Sequence, residues 1–164
     1  MSPHGKGSIY ETAKITLQTE LELAEDAWIG DFVFINLNKL TLGKGSQIGA
    51  FSSLTGGGNV QVGRYSTIGY GVRIIAGTDT PDGRYMADKA PLKQRHVVRG
   101  SIKIGDNCFI GANAVISVSE THPLIEIEDN VVVGALSYVG ENVARDTVGW
   151  GSPFRPVKKR KVKA

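Results

Sequence analysis

The sequence predicts an all-β solenoid, a parallel β-helix, from three positional patterns that run in phase. The first is an aliphatic residue that returns every six positions. Its members are Leu17, Leu23, Ile29 and Ile35, then Leu42, Ile48 and Leu54, then Val62, Ile68 and Ile74. They continue through Val98, Ile104, Ile110 and Ile116 to Ile127, Val133 and Val139. A period of six belongs neither to an α-helix nor to a lone strand. The second pattern is a glycine directly after many anchors, as at Gly30, Gly49, Gly69, Gly111 and Gly134, where the chain is about to bend. The third is a small or β-branched residue four positions after the anchor, as at Ser46, Ser52, Ser66, Cys108, Ala114 and Ser137. That position also faces inward, beside a corner.

Three hexads make one triangular coil of about 18 residues, each side a short strand bonded to the coils above and below. Residues 1–16 read as an N-terminal segment. The helix proper takes residues 17–147, and its least regular stretch, Leu17 to Ile35, caps one end. The period fails twice, between Ile74 and Val98 and between Ile116 and Ile127. These breaks predict a protruding loop at about 76–100 and a shorter insertion at 117–126, and loops on a rigid repeat are where function is usually placed. Gly56-Gly57-Gly58 reads as a loosened corner. Residues 148–164 close the domain, with Pro153 and Pro156 stopping strand pairing ahead of a basic tail.

A chain of 164 residues with 41% hydrophobic content builds one domain with a core. The net charge of +3 is concentrated in Lys158, Lys159, Arg160, Lys161 and Lys163, which leaves the body slightly acidic and argues against a nucleic-acid partner. One cysteine, Cys108, excludes an internal disulfide and suits a reducing cytosol. Neither a signal-peptide core nor an apolar run of about 18 residues is present, so the expectation is a cytoplasmic protein without membrane insertion.

Three segments carry a family resemblance: IGDNCFIGANAVI (Ile104 to Ile116), VVVGALSYV (Val131 to Val139) and GWGSPFRPVKKRK (Gly149 to Lys161). They resemble the C-terminal half of left-handed β-helix, hexapeptide-repeat acyltransferases, many of which close on a glycine–x–proline element, here Gly151-Ser152-Pro153. The resemblance runs from about Leu17 to Lys161. It is nearest the maltose, galactoside and polysaccharide O-acetyltransferase branch. It implies a left-handed helix and a homotrimer, with acetyl-coenzyme A as co-substrate between neighbouring solenoids and no metal. A sugar or nucleotide-sugar acceptor would sit near the long loop. O-acetylation of a sugar or surface-polysaccharide precursor is the leading expectation. N-acetylation of a nucleotide-linked amino sugar and a non-catalytic scaffold are the alternatives.

Acyl transfer needs a proton acceptor, a donor for the developing oxyanion and a track for the coenzyme. Related sugar acetyltransferases place a histidine at the start of the long loop, whereas this chain has Gly77-Thr78-Asp79-Thr80. Three residues are candidate bases: Asp79, if burial raises its pKa; His96, at the other end of the loop; and His122, in the shorter insertion. His4, near the terminus, is discounted. An amine acceptor needs no protein base, because its unprotonated fraction attacks unaided. By family analogy Gly111 and Ala112 supply backbone donors to the oxyanion, while Ala135 and Ser137 line the pantetheine track. Trp150 and Pro153 would meet the adenine, and Lys158 and Lys159, with Arg160, the 3′-phosphate. Pro156-Val-Lys-Lys-Arg-Lys-Val also resembles a nuclear-localisation signal, a reading ranked below phosphate binding. Cys108 is assigned to the core.

Overall fold

The computed structural model describes residues 7–162, so His4 and Lys163 lie outside the described residues. The chain winds as a left-handed parallel β-helix of about seven coils with three flat faces. The first face stacks β1 (Ser8–Ile9), β4 (Trp28–Ile29), β7 (Gln47–Ile48), β10 (Thr67–Ile68), β15 (Phe109–Ile110), β18 (Val132–Val133) and β20 (Thr147–Trp150). The second stacks β2 (Lys14–Ile15), β5 (Phe34–Ile35), β8 (Ser53–Thr55), β11 (Arg73–Ile75), β16 (Val115–Ser117) and β19 (Tyr138–Val139). The third stacks β3 (Glu20–Leu23), β6 (Lys39–Leu42), β9 (Asn59–Val62), β14 (Ser101–Ile104) and β17 (Leu124–Ile127).

Every anchor from Ile29 onward except Val98 is buried, and so are the small inward residues, with Cys108 only 2% exposed. Burial pushes the Cys108 thiol pKa up, and its Sγ donates to the Glu128 carbonyl at 3.1 Å. It is a core residue. Two anchors depart from the pattern. Leu17 is fully exposed, and the inward residue of its coil is Ile15, so the strand stack already starts at Ser8. Val98 lies in a ribbon outside the prism wall, although it packs against the core.

The third face explains a further departure from the strict hexad. Its strands are four residues long, so each sends two side chains inward, such as Leu40 with Leu42 and Val60 with Val62. The extra residues lengthen the coils, so that Ile29 pairs with Ile48 and Ile48 with Ile68. All of them enter at one edge, between the second and third faces. Both large insertions leave from that same edge.

The prism therefore has three edges of different character. Between the third and first faces lies a charged edge of ion pairs, Lys44–Glu25, Arg64–Asp106 and Arg145–Asp129. Between the first and second faces lies an apolar edge with Phe32, Phe51, Tyr70 and Leu136 exposed. The third is the loop edge. After β20 the chain does not stop pairing at Pro156. It folds back as β21 (Arg155–Lys159), antiparallel to β20, with an irregular register at Val148/Gly149. Proline is tolerated there because β21 is an edge strand with a bulge opposite.

Candidate functional site

The loop edge holds the main cleft. The long loop leaves as β12 (Gly77–Asp79) and returns as β13 (Val97–Arg99), an antiparallel ribbon. Gly56-Gly57-Gly58 is the opposite of a loosened corner. A Cβ on Gly56 would lie 2.2 Å from the Gly77 nitrogen, and one on Gly58 the same distance from the Ala76 and Gly100 carbonyl oxygens. Only glycine lets the preceding coil touch the base of the ribbon. Around that contact opens a cleft of about 660 Å³, lined by Asn36, Asn38, Thr78, Asp79, Arg95 and Arg99 among others.

Asp79 lies in this cleft, but not as the sequence reading required. Arg95 donates through Nε to Oδ1 at 2.7 Å and through Nη2 to Oδ2 at 2.6 Å. That paired guanidinium holds the carboxyl below the usual carboxylate range, the reverse of the upward shift a base needs. Asp88 takes a further bond from Arg95 at 2.9 Å. Two carboxylates thus neutralise Arg95, whereas Arg99 has no ion-pair partner among the described residues. The Arg99 charge nonetheless reaches Asp79 and helps to hold its carboxyl low. Neither arginine stood out in the sequence, because only the folded ribbon brings Arg95 back to Asp79 and Arg99 over Gly57.

The other two candidate bases sit beyond the ribbon. Asp79 faces Val97 in the register, so the next pair is Thr80 with His96, whose side chains occupy the opposite face of the ribbon from Asp79. His96 Nε2 lies 3.7 Å from Glu120 Oε1 in the shorter insertion. His122 belongs to that insertion too. Its Nδ1 is 3.1 Å from Thr121 Oγ1, and it borders a small hollow of about 210 Å³ with Tyr138, Pro153 and Arg155. The fold therefore brings the two insertions together but keeps Asp79 and His96 apart.

Some of the cofactor candidates gather on the apolar edge. Gly111, Ala135 and Trp150 stack on consecutive coils: a Cβ on Gly111 would lie 2.4 Å from the Ala135 nitrogen, and one on Gly134 2.7 Å from the Trp150 Cβ. Their backbones differ in what they offer. The Gly111 N–H is used within the sheet, donating to the Val133 carbonyl at 2.7 Å. Ala112 and Ala135, at the bends, have N–H groups with no partner among the described residues. Ser137 is 1% exposed, and its hydroxyl donates to Gly134 O and accepts from Gly151 N, so its side chain cannot line a surface track. Lys158 and Lys159 pair with Val148 and Thr147, at the far end of β20 from Trp150. The cation opposite Trp150 is Arg155, which the sequence reading passed over. Arg160 is anchored elsewhere, donating to the Asn107 carbonyl at 2.6 Å on the charged edge.

This architecture has known counterparts. The family described as hexapeptide repeat of succinyl-transferase matches residues 101–119. The chain is 28% identical over 117 residues to the dTDP-4-amino-4,6-dideoxy-D-glucose acyltransferase of Escherichia coli, covering 71% of this chain and 58% of that protein. Among solved structures it is similar to a point mutant of AntD, an N-acyltransferase from Bacillus cereus in complex with dTDP and coenzyme A. That likeness has a TM-score of 0.82 at 26% identity, over 95% of this chain and 83% of the other. AntD in complex with dTDP and 3-hydroxybutyryl-CoA gives 0.81 at 26% identity, over 94% and 82%. The chain has the left-handed β-helix fold, carries a hexapeptide-repeat match over residues 101–119, and is similar to acyltransferases, among them structures that hold coenzyme A. Within that class these similarities lie with acylation of a nucleotide-linked amino sugar, the second of the sequence expectations, more than with O-acetylation of a polysaccharide. Among the described residues no helix is long and apolar enough to cross a membrane.

Proposed function

We propose that this protein transfers an acyl group from a coenzyme A thioester to the amine of a nucleotide-linked amino sugar, working as a homotrimer in the cytoplasm. The observation that carries the reading is the likeness over 95% of the chain to a structure holding both dTDP and coenzyme A. The chemistry of this chain supports an amine. Asp79 is kept ionised and committed to Arg95, and the expected histidine is missing from the loop start. An amine's unprotonated fraction needs no such base. In the reaction the nitrogen bonds to the thioester carbon, the C–S bond breaks, and the proton lost by nitrogen balances the departing thiolate. The free N–H groups of Ala112 and Ala135 are donors for the transient oxyanion. Trp150, Pro153 and Arg155 take the adenine end. Arg99 takes the diphosphate of the acceptor.

The homotrimer is supported by the apolar edge, where Phe32 is 57% and Phe51 62% exposed. Aromatic residues so placed gain nothing from water and fit a subunit seam. That seam would also bring the column at Ala112 and Ala135 against a neighbour.

Thiol release from acetyl-CoA and 3-hydroxybutyryl-CoA, assayed with dTDP-linked amino sugars and their hydroxyl counterparts, tests the proposal. Release stimulated by the amine alone is expected. Equal release with the hydroxyl sugar, or none with either, overturns it. Arg99→Ala should raise KM for the nucleotide sugar about tenfold and leave kcat nearly unchanged, the signature of lost ground-state binding.

A further inference from the structure

The face of the ribbon turned away from the cleft carries a grouping that acyl transfer does not use. Asp82 and His96 from the long loop meet Glu120 from the shorter insertion, with one ligand-type atom of each within 4.8 Å of the others. The backbone builds this meeting. The Thr80 N–H donates to the His96 carbonyl at 2.8 Å, and the Gly83 N–H bends back to Thr80 O at 3.2 Å, which turns Asp82 toward the same side. A Cβ on Gly83 would lie 2.7 Å from the His96 nitrogen, so the loop is drawn tight there. A second observation is independent of the three ligands. Thr80 is 5% exposed, and its Oγ1 is buried with no hydrogen-bond partner. It lies on the same face of the ribbon as His96, its cross-strand partner. A buried hydroxyl rarely goes unpaired.

We infer that Asp82, His96 and Glu120 bind a divalent cation of the zinc, cobalt or nickel type, which clasps the long loop to the shorter insertion. One imidazole nitrogen with two carboxylates is a donor set such ions favour over magnesium or calcium. The three groups leave coordination positions for water. Closing the ligands around an ion with bonds of about 2.1 Å asks only a shift of roughly an ångström from the exposed carboxylates. The ion holds together two loops that start on successive coils.

The experiment uses the full chain without an affinity tag, stripped with a chelator and titrated with zinc chloride by calorimetry and with cobalt chloride by visible absorption. One ion per chain is expected, with a rise in melting temperature on loading. His96→Ala and Glu120→Gln should each weaken binding at least about tenfold and abolish that rise, while His122→Ala leaves both unchanged. The carboxylate and imidazole are surface groups, so both variants should keep the wild-type circular dichroism without metal. No saturable binding up to about 1 mM zinc overturns the inference. So does binding that His96→Ala and Glu120→Gln leave intact.

Discussion

The apolar and charged edges turn the same corner with the same backbone and dress it in opposite ways. At most of these bends one residue adopts the left-handed conformation and its N–H donates to the coil before, usually to a corner carbonyl, though Phe32 N donates to Thr12 Oγ1. Phe51 N to Asp31 O (3.0 Å) and Leu136 N to Ala112 O (3.0 Å) do this on the apolar edge, as Tyr65 N to Lys44 O (2.9 Å) and Asn130 N to Asp106 O (2.9 Å) do on the charged one. The charged edge fills this position with Asp26, Gly45, Tyr65, Asn107, Asn130 and Asp146, types that mostly tolerate positive φ. Its side chains also join along the axis, as in the Asn107–Asn130–Asp146 ladder. The apolar edge, besides Gly71 and Asn113, puts Phe32, Phe51 and Leu136 at φ of 55°, 63° and 61°. Bulky residues cost energy there, and local structure returns little of it. The comparison teaches that one edge is made for water, while the other sacrifices local comfort for a surface.

The largest expected effect comes from the close stacking behind the apolar edge. Gly111→Ala sets a methyl 2.4 Å from the backbone nitrogen of Ala135, which cannot swing aside. A loss of about 3 kcal/mol is expected, a fall in melting temperature of roughly 6–12 °C. On the charged edge Gly45→Ala, at the bend itself rather than directly after an anchor, meets the exposed ring of Tyr65 at 2.7 Å, which can move, and bears the positive φ of 63°. It should cost about 1 kcal/mol. Equal losses in thermal unfolding would show that the backbone behind Gly111 yields as readily as an exposed ring does.

Next comes assembly. Phe32 and Phe51 stack on each other with ring centroids 5.1 Å apart. Replacing both with asparagine removes apolar surface and supplies a residue suited to the conformation. If the edge is a seam, sedimentation velocity should find monomer where the unaltered chain is trimer. A double variant that keeps the trimer and merely gains stability would make the edge an ordinary surface.

Tyr65→Asn is the control on the opposite edge. Tyr65 has φ of 54° and is 62% exposed, close to the values of Phe51. Its replacement should raise unfolding stability by up to about 1 kcal/mol and leave association untouched. Loss of the trimer in this variant would assign the seam to the wrong edge.

Much of this was legible beforehand, for a physical reason. A solenoid repeats its environment, so burial prints itself on the sequence, and within a coil Val62, Ile68 and Ile74, or Ile104, Ile110 and Ile116, keep the six-residue interval. Leu17 misled because extra residues enter between Ile15 and Leu23, as they do at this edge in later coils, so counting back six from Leu23 lands on the exposed edge. Leu40 and Val60 were missed because a four-residue strand adds an inward position that a six-residue template lacks. The site was read less well. Asp79 was found by its place in the loop, but its state is set by Arg95, which the ribbon brings beside it. Gly56-Gly57-Gly58 signalled freedom when it meant contact. The neighbour that forbids a side chain there, Gly77, leaves no local mark.

The smallest effect concerns the ion pairs that finish the charged edge. Arg64 donates through Nε and Nη2 to Asp106 Oδ2 and through its backbone N–H to Oδ1. These bonds hold the Asp106 carboxyl below its ordinary range. A carboxylate with a depressed folded pKa stabilises the protein fully above its unfolded value of about 3.9 and loses that contribution as pH falls through the folded value. Asp106→Asn should therefore lower the melting temperature slightly and evenly near neutral pH. The gap from the unaltered protein should close in acid, below about pH 4. Both partners are well exposed, so added salt should shrink the neutral-pH gap as well. The Gly111→Ala deficit, which arises from atoms too close together, should respond to neither acid nor salt. A Gly111→Ala deficit that faded with salt would mean that charge, rather than packing, is what separates the two edges.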